Sequence, residues 1–386
     1  MTSEITDTVR ESSYRAAGVV AATIEDHFAH HIAAAISRGE DGVAPVPDRA
    51  AIKQMLDTTF WASLRKEEGR SPKITLAFFS PDQVPQPLIF EHPLELTPKV
   101  LTKLGPAVER PGVHLGVFRA EGGGPLQVWG ATRKVPSFCF VLEVIEPGLL
   151  VIKHRRMAGF GKFANVAVLK GEVIKIVDEH GASLPDCPDL LAALLPFTSP
   201  GSWEHKFNMH VQLAASMRAH GHGGSLLVVP TGSNEWRQSI VHPILYSVTP
   251  PFSALAELMR LEVDESNENW LDAAVRRAVD TVAGLTAVDG ATVINDQYEV
   301  LAFGAKIARL EGGQQMIATE PVVGDHPVTI DPAQNGGTRH LSAAQFVYEQ
   351  RDAMALVASQ DGRFTVFAWS PCEQMVHAHR VDTLLL

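Results

Sequence analysis

Hydrophobic positions recur at helical spacing in two segments near the start of the chain. The first segment spans residues 14–38, and its apolar positions fall four residues apart at Val20, Ile24, Phe28, Ile32 and Ile36. The second segment follows Asp48, a residue type that favours the helix N-cap, and carries Ile52, Met55, Leu56 and Phe60. We predict an amphipathic helix in each and a helical segment over residues 1–70. Such stripes can serve oligomer contacts, but packing on the protein's own core is the commoner use.

The pattern changes to short β-like runs from Lys73 onwards. These runs are separated by Gly and Pro and cover residues 74–79, 114–118, 126–130, 138–145, 149–154, 164–169 and 173–177. Their length and spacing predict an antiparallel sheet over roughly residues 70–180. No combination of side chains in this region indicates catalysis.

The following stretch alternates helix-like and strand-like segments. Leucine-rich residues 189–195 and residues 205–219 predict two helices, and residues 222–229 predict a glycine-rich entry into a strand. Residues 230–265 contain four prolines and are interpreted as a connection between the two halves of the chain.

A longer helix and a β-hairpin come next. Apolar residues from Trp270 to Val282 repeat at helical spacing, with Ser266 or Asn267 as the cap and Gly284 as the terminator. Two β-like runs at residues 291–294 and 298–303 follow. The order predicts a helix that leads into a hairpin. Its first strand resembles residues 222–229, which indicates either a half-repeat or an interface strand beside the domain that follows.

A single carboxylate marks the entry to that hairpin. Asp289 is followed by Gly290 and Ala291, two small residues that leave room for a bulky ligand close to the backbone. Asp-Gly alone is usually only a turn. The functional interpretation of Asp289 therefore depends on what the rest of the chain places beside it.

A glycine-rich helix start lies about fifty residues further on. Gly336 and Gly337 precede Thr338, Arg339 and His340, and the apolar spacing that begins at Leu341 is helical. Unpaired N–H groups and the positive dipole end of a helix favour anions, and an arginine adds forked donors suited to phosphate oxygens. The alternative is a capped surface helix with a solvated arginine.

These pieces, in this order, resemble the diadenylate cyclase domain of bacteria over roughly residues 265–370. The resemblance implies a mixed α/β (α+β) sheet flanked by helices that condenses two ATP molecules into cyclic di-AMP and pyrophosphate. It implies that Asp289 binds Mg²⁺ or Mn²⁺ and helps to activate a ribose hydroxyl, and that Thr338, Arg339 and His340 hold the triphosphate. It further implies that Gly290 belongs to the catalytic residues with Asp289, Arg339 and His340. Nucleotide contacts are implied at Ala291, Phe303, Gly304, Gly337, Thr338, Ser342 and Ser359.

Two positions depart from the family's pattern. The third residue of its Arg-His-Arg grip is Leu341 here, and its Ser-Glu-Glu run reads Ser359-Gln360-Asp361. The first change removes a positive charge from a site for a polyanion, and the second removes a carboxylate. Two hypotheses follow: an active cyclase under the control of an N-terminal sensor, or a nucleotide-binding sensor with weakened or lost turnover.

Composition and charge narrow the remaining possibilities. The chain has 386 residues, 45% hydrophobic and 20% charged, which are globular values that favour two or three domains. A net charge of −11 disfavours general binding to nucleic acid or anionic membranes. The three cysteines have no C-x-x-C spacing, Glu4 and Asp7 are atypical of an export signal, and no apolar run is long enough to span a membrane. We therefore expect a cytoplasmic protein.

The predicted organisation has three parts. Residues 1–70 form a helical segment, residues 71–260 a β-rich and then α/β sensor or regulatory region, and residues 261–386 the cyclase-like nucleotide domain. The resemblance also implies a homodimer or higher homo-oligomer, since each subunit of the family holds one ATP.

Overall fold

A computed structural model describes residues 13–110, 112–119, 123–155, 163–178, 205–261, 268–309, 315–334 and 336–386. The chain divides into two compact units: unit 1 comprises Met1–Met157 and Gly161–Ile176, and unit 2 comprises Ala158–Phe160 and Val177–Leu386. The predicted helix at 189–195, the predicted caps Ser266 and Asn267, and Asn335 lie outside the described residues.

Unit 1 combines three helices with one sheet in its described part. The helices are α1 (Arg15–Ser37), α2 (Arg49–Ser63) and α3 (Pro98–Val108). The strands are β1 (Thr75–Phe78), β2 (Leu88–Glu95), β3 (His114–Arg119), β4 (Leu126–Thr132), β5 (Phe140–Glu146), β6 (Leu149–Arg155), β7 (Phe163–Lys170) and β8 (Val173–Ile176). Their order across the sheet is β2-β4-β3-β1-β5-β6-β7-β8.

Both predicted N-terminal helices are confirmed. Val20, Ile24, Phe28 and Ile32 are buried along α1, whereas Ile36 near its end is 61% exposed. Asp48 caps α2, because its Oδ1 accepts a hydrogen bond from the Ala51 N–H at 2.7 Å. The helical periodicity thus corresponds to a core-facing stripe.

The sheet of unit 1 is not wholly antiparallel, which corrects the prediction. Strand β1 pairs in parallel with β3, with Phe78 opposite Val117. Parallel neighbours need a crossover connection, and α3 lies within it. Helix α3 and strand β2 were not predicted: α3 contains Gly105 and Pro106, and β2 is largely exposed. Helix α3 therefore contains residues that disfavour a helix, and β2 lacks the alternation of buried and exposed residues that is typical of a strand.

Unit 2 alternates helices and strands around a second mixed sheet. Its helices are α4 (His205–Ala219), α5 (Ala254–Met259), α6 (Glu268–Leu285), α7 (Thr338–Glu349) and α8 (Asp382–Leu385). Its strands are β9 (Gly224–Val229), β10 (Tyr246–Phe252), β11 (Ala291–Asn295), β12 (Val300–Ala305), β13 (Met316–Thr319), β14 (Val328–Ile330), β15 (Met354–Ala358), β16 (Phe364–Ser370) and β17 (Met375–Arg380). Their order is β10-β12-β11-β9-β15-β16-β17-β13-β14.

Apolar clusters pack on the sheet of unit 2 from both sides. One contains Leu213 and Met217 of α4 and Val279 and Val282 of α6. The other contains Phe346 and neighbouring residues of α7. The predicted α/β class, with a mixed sheet flanked by helices, is confirmed.

The helix and hairpin near residue 290 are confirmed, with one correction. Strands β11 and β12 pair antiparallel. Gly284 does not terminate α6, which continues to Leu285. The backbone then turns through hydrogen bonds from Thr286 N to Ala283 O and from Ala287 N to Gly284 O.

The stretch interpreted as a connection belongs to the sheet. Strand β10 pairs with β12, and β9 pairs in parallel with β11, so unit 2 extends well before the boundary drawn at residue 260. Pro250 and Pro251 lie in β10, the outermost strand, where only one neighbour requires backbone hydrogen bonds. Prolines that suggest a linker are therefore compatible with this strand.

In the part of the chain described above, no helix has both the length and the apolar character needed to cross a bilayer.

Candidate functional site

Several strand ends meet at one edge of the unit 2 sheet. Strands β9 and β11 begin side by side, with Ser225 opposite Ala291. Strand β12 ends opposite Ala291 at Ala305, and β15 ends opposite Gly224 at Ala358. We call this place the site edge; it comprises residues 222–224, 289–291, 304–306 and 359–363 and the first turn of α7. The two sequence motifs separated by about fifty residues therefore meet in space.

Asp289 presents an open carboxylate at the site edge. Its side chain is 86% exposed, and its Oδ2 accepts a hydrogen bond from Lys306 Nζ at 2.7 Å. The hydrogen bond and charge of Lys306 hold the pKa of Asp289 below its usual range, and the charge of Arg339 acts in the same direction. Asp289 is thus ionised at neutral pH and lies within electrostatic reach of the predicted phosphate grip.

Two glycines allow the backbone at this entry to close tightly. A Cβ on Gly290 would lie 2.5 Å from the carbonyl carbon of Gly304, and the φ of Gly290 is +114°. A Cβ on Gly304 would lie 2.8 Å from the ring of Tyr246. Glycine is required at both positions because main chain packs against main chain or against an aromatic ring.

The start of α7 leaves donors available. Its N-cap is Gly337, which has no side chain to accept from the first-turn N–H groups. Thr338 is exposed and Arg339 is half-buried. The Nη1 atom of Arg339 lies 3.1 Å from the position that a Cβ on Gly223 would occupy, beside Gln360. The glycine thus gives the guanidinium room to lie across the start of β9.

His340 faces the interior. It is 2% exposed, its Nε2 lies 3.2 Å from Thr365 Oγ1, and its Nδ1 lies against Gly336, where an added Cβ would approach to 2.8 Å. Burial lowers the pKa of His340, so the ring is neutral at neutral pH. These contacts give His340 a positioning role, fixing the start of α7 on β16, and do not supply a cation to a phosphate.

Phe303 forms an aromatic pair that the sequence did not indicate. Its ring stacks on Tyr246 of β10 with centroids 4.8 Å apart and planes 3° apart. Tyr246 is 47% exposed, so its ring, with the hydroxyl group at its edge, is accessible to solvent beside Gly304. Tyr246 was missed because it lies in the proline-rich stretch interpreted as a connection.

The other predicted contact residues differ in accessibility. The Ala291 methyl group is buried in the apolar cluster under α7, so only its backbone is available at the edge. Ser342 is half-buried in the first turns of α7. Ser359 begins a turn after β15, in which its N–H donates to Arg363 O at 2.9 Å. Each lies at or next to the site edge.

The two departures from the family pattern also lie here. Leu341 is half-buried on α7. Gln360 is exposed, and its side-chain amide donates to the carbonyl oxygen of His222 at 3.3 Å. An amide at this position therefore ties the turn after β15 to the loop before β9.

The donor set fits a metal ion that arrives with phosphate. Asp289 supplies one exposed carboxylate, and no group of three His, Cys, Asp or Glu side chains able to hold a metal occurs among the described residues. Mg²⁺ commonly takes one or two carboxylates from the protein and completes its shell with phosphate oxygens and water. The site edge is compatible with that mode and lacks the several ligands of a protein-enclosed cation.

Comparison with known proteins bears on unit 1. Residues 41–133 match the family model described as probable sensor domain DACNV, which indicates a sensor region in the N-terminal part of the chain. No curated protein matches the chain. The resemblance of residues 265–370 to diadenylate cyclases lies beyond this match and depends on the residues themselves.

Proposed function

We propose that unit 2 binds ATP at the site edge and condenses two ATP molecules into cyclic di-AMP, under the control of a sensor in unit 1. The observation that carries the proposal is the meeting of the two motifs at the site edge, where Arg339 lies against Gly223 just before β9 and Asp289 lies just before β11, the parallel neighbour of β9. The match of residues 41–133 to a probable sensor domain supports the sensor part of the proposal.

The described residues divide the work of binding. The first-turn N–H groups of α7, which the side chain of the N-cap does not satisfy, and the Arg339 guanidinium donate to phosphate oxygens. The exposed face of Tyr246, backed by Phe303, supports the base. Gly290 and Gly304 let the chain close tightly beside Tyr246, and His340 holds the helix that carries the donors.

The reaction requires positioning and charge neutralisation more than covalent participation of the protein. Each ribose 3′-hydroxyl forms a bond to the α-phosphorus of the other ATP and releases its proton to solvent, while the bond from that phosphorus to the bridging oxygen breaks and pyrophosphate leaves. Asp289 is the residue that would hold Mg²⁺ or Mn²⁺, which when bound lowers the pKa of an attacking hydroxyl and offsets phosphate charge. Two ATP molecules must face each other, so the active form is at least a transient homodimer with closed symmetry.

A second candidate function is nucleotide sensing without turnover. It is favoured by Leu341, which adds no charge at the third grip position, and by Gln360, whose amide is engaged with His222 O. Both features affect stabilisation of the transition state more than ground-state binding. The two functions share one binding site and differ only in product formation.

One experiment separates the two functions. Purified full-length chain is incubated with ATP and Mg²⁺ or Mn²⁺, and cyclic dinucleotide and pyrophosphate are measured by mass spectrometry. We expect both products from the parent and none from Asp289→Asn, which keeps the shape but loses the anionic metal ligand. Asp352→Asn, at an exposed position elsewhere in unit 2, is the control and should match the parent. If the parent binds ATP but forms no product, only the sensor function remains. If Asp289→Asn turns over as fast as the parent, Asp289 has no role in the reaction.

A further inference from the structure

A cavity of about 640 Å³ opens in unit 1 where the parallel strands β1 and β3 end. Phe78 ends β1, Ser80 and Asp82 follow it, and Phe118 and Arg119 end β3. In open mixed sheets, ligands commonly bind beyond the carboxyl ends of parallel strands. All the residues that line the cavity fall within the span that matches the sensor model.

One wall of the cavity is aromatic. The rings of Phe78 and Phe118 lie 5.4 Å apart at 39°; Phe78 is 5% exposed and Phe118 is half-buried. Val46, from the loop before α2, adds apolar surface. The volume is that of a small-molecule site, and the lining suits a ligand with an apolar body.

The positive charge in the cavity is already neutralised. Arg119 Nη2 donates to both carboxylate oxygens of Asp48, at 3.0 and 2.8 Å. Asp48 is fixed in turn by the hydrogen bond from Ala51 N at the start of α2. An anionic ligand would therefore have to displace a bidentate carboxylate.

The negative charge is not neutralised. Asp82 is exposed, and within the described part of unit 1 its carboxylate has neither a hydrogen-bond donor nor a cation as partner. Together Asp48, Asp82 and Arg119 leave the cavity with one excess negative charge. The half-buried Phe118 can also attract a cation, because the face of an aromatic ring carries the negative part of its quadrupole.

We propose that this cavity binds a small organic cation, an ammonium or guanidinium group on an apolar or aromatic body, as the signal of the sensor unit. The cationic group lies toward Asp82 and the Phe118 ring, and the apolar body lies against Phe118 and Val46. This extends the sensor part of the proposed function and does not depend on catalysis in unit 2, because its test measures binding alone.

The test uses three probes that share one body and differ in charge. Phenethylammonium, 2-phenylethanol and 3-phenylpropionate are titrated into the full chain, and binding is followed by saturation-transfer NMR. We expect phenethylammonium to bind and to compete with neither ATP nor pyrophosphate. Equal binding of the neutral probe, preference for the anion, or no binding of any probe at millimolar concentration would each overturn the proposal.

Variants locate the binding. Asp82→Asn should weaken phenethylammonium binding roughly fivefold, the upper range for an exposed ion pair, and Phe118→Leu roughly threefold by removing a π-face. Arg119→Gln frees the Asp48 carboxylate and should strengthen binding. Asp26→Asn, an exposed carboxylate of α1, is the matched control. If Asp82→Asn and Asp26→Asn bind alike while far-ultraviolet circular dichroism shows both folded, the cavity assignment is wrong.

Discussion

At the scale of single residues, a metal ion that binds Asp289 has to replace Lys306, which forms an ion pair with it. Both side chains are largely exposed, at 86% and 64%. An exposed ion pair contributes little net stability, so Lys306 can exchange for a divalent cation at small cost. Lys306 keeps Asp289 ionised, as a metal ligand must be, and is itself easily displaced.

The role of Arg339 can be measured directly. Arg339→Ala should weaken ATP binding by about 1.5–3 kcal/mol, the usual loss when a hydrogen bond to a charged group is removed. Isothermal titration calorimetry checks this, with Arg276→Ala, an exposed arginine of α6, as the control of equal charge change. Unchanged ATP affinity in Arg339→Ala would remove the phosphate-grip assignment.

Residue types were easier to predict than their surroundings. The carboxylate at 289 and the cation at 339 were identified because each follows or precedes glycines at an element boundary. The burial of His340 was not predictable, since it depends on Thr365, a contact across 25 residues of sequence. Tyr246 was not predictable either, because its partner Phe303 belongs to a distant strand.

At the scale of elements, the entry to β11 depends on the backbone freedom of Gly290. Gly290→Ala should lower the free energy of unfolding by about 1–3 kcal/mol, because a Cβ would meet Gly304 at 2.5 Å and the φ of +114° is unfavourable for alanine. Urea denaturation measures the change.

Gly284→Ala makes the same chemical change in a permissive place. Nothing lies within 4 Å of its added Cβ, and it is inside α6, where alanine exceeds glycine in helix propensity by up to about 1 kcal/mol. We expect this control to be neutral or stabilising. A similar loss in both variants would show that the tight approach of residues 290 and 304 does not matter.

A substitution at Leu341 on α7, the third grip position, tests whether this position limits turnover. Leu341 is half-buried, so a longer side chain can carry its charge to solvent along the helix surface. We expect Leu341→Arg to raise the rate of cyclic dinucleotide formation with little change in melting temperature. Leu341→Met is the uncharged control and should not raise it. A fall in melting temperature without faster turnover would mean that Leu341 is needed for packing and that arginine at this position buries a charge.

Elements with strong periodicity were predicted, and those that depend on distant partners were not. Helix α1 and the β11–β12 hairpin carry their patterns locally. Strand β10 is exposed and contains two prolines, and it exists because β12 offers a sheet edge. Helix α3 contains Pro106, an atypical residue for a helix interior, and lies in the connection from β1 to the parallel strand β3.

At the scale of the whole molecule, sequence patterns predicted the fold class but not the extent of unit 2. The four prolines of residues 230–265 suggested a connection and a boundary near residue 260, whereas sheet pairing joins β9 and β10 to the strands that follow. The similarity of residues 222–229 to the start of β11 was the local signal for this, because the two strands are parallel neighbours.

Unit 2 also contains buried histidines that make its stability depend on pH. Burial lowers the pKa of His379 to about 3, with a further contribution from His377, and burial lowers the pKa of His210 to about 4 despite the opposing charge of Asp296. The unfolded chain, with histidine pKa values near 6.5, therefore binds more protons than the folded chain between about pH 6.5 and these values. Stability is retained above about pH 6.5 and lost as the pH falls.

We expect each of these two histidines to remove about 2 kcal/mol of unfolding free energy between pH 7 and pH 5. Urea denaturation at both pH values measures the total, and His379→Gln should reduce the pH-dependent loss by its share, whatever its effect on stability at pH 7. His326→Gln, at an exposed position, should keep the full pH dependence of the parent. The readout is the difference between the unfolding free energies at pH 7 and pH 5. A simple packing defect at residue 379 lowers both free energies equally and does not change their difference. An unchanged pH dependence in His379→Gln would mean that the pKa of His379 is nearly the same in the folded and unfolded chain, against its burial at 1% exposure.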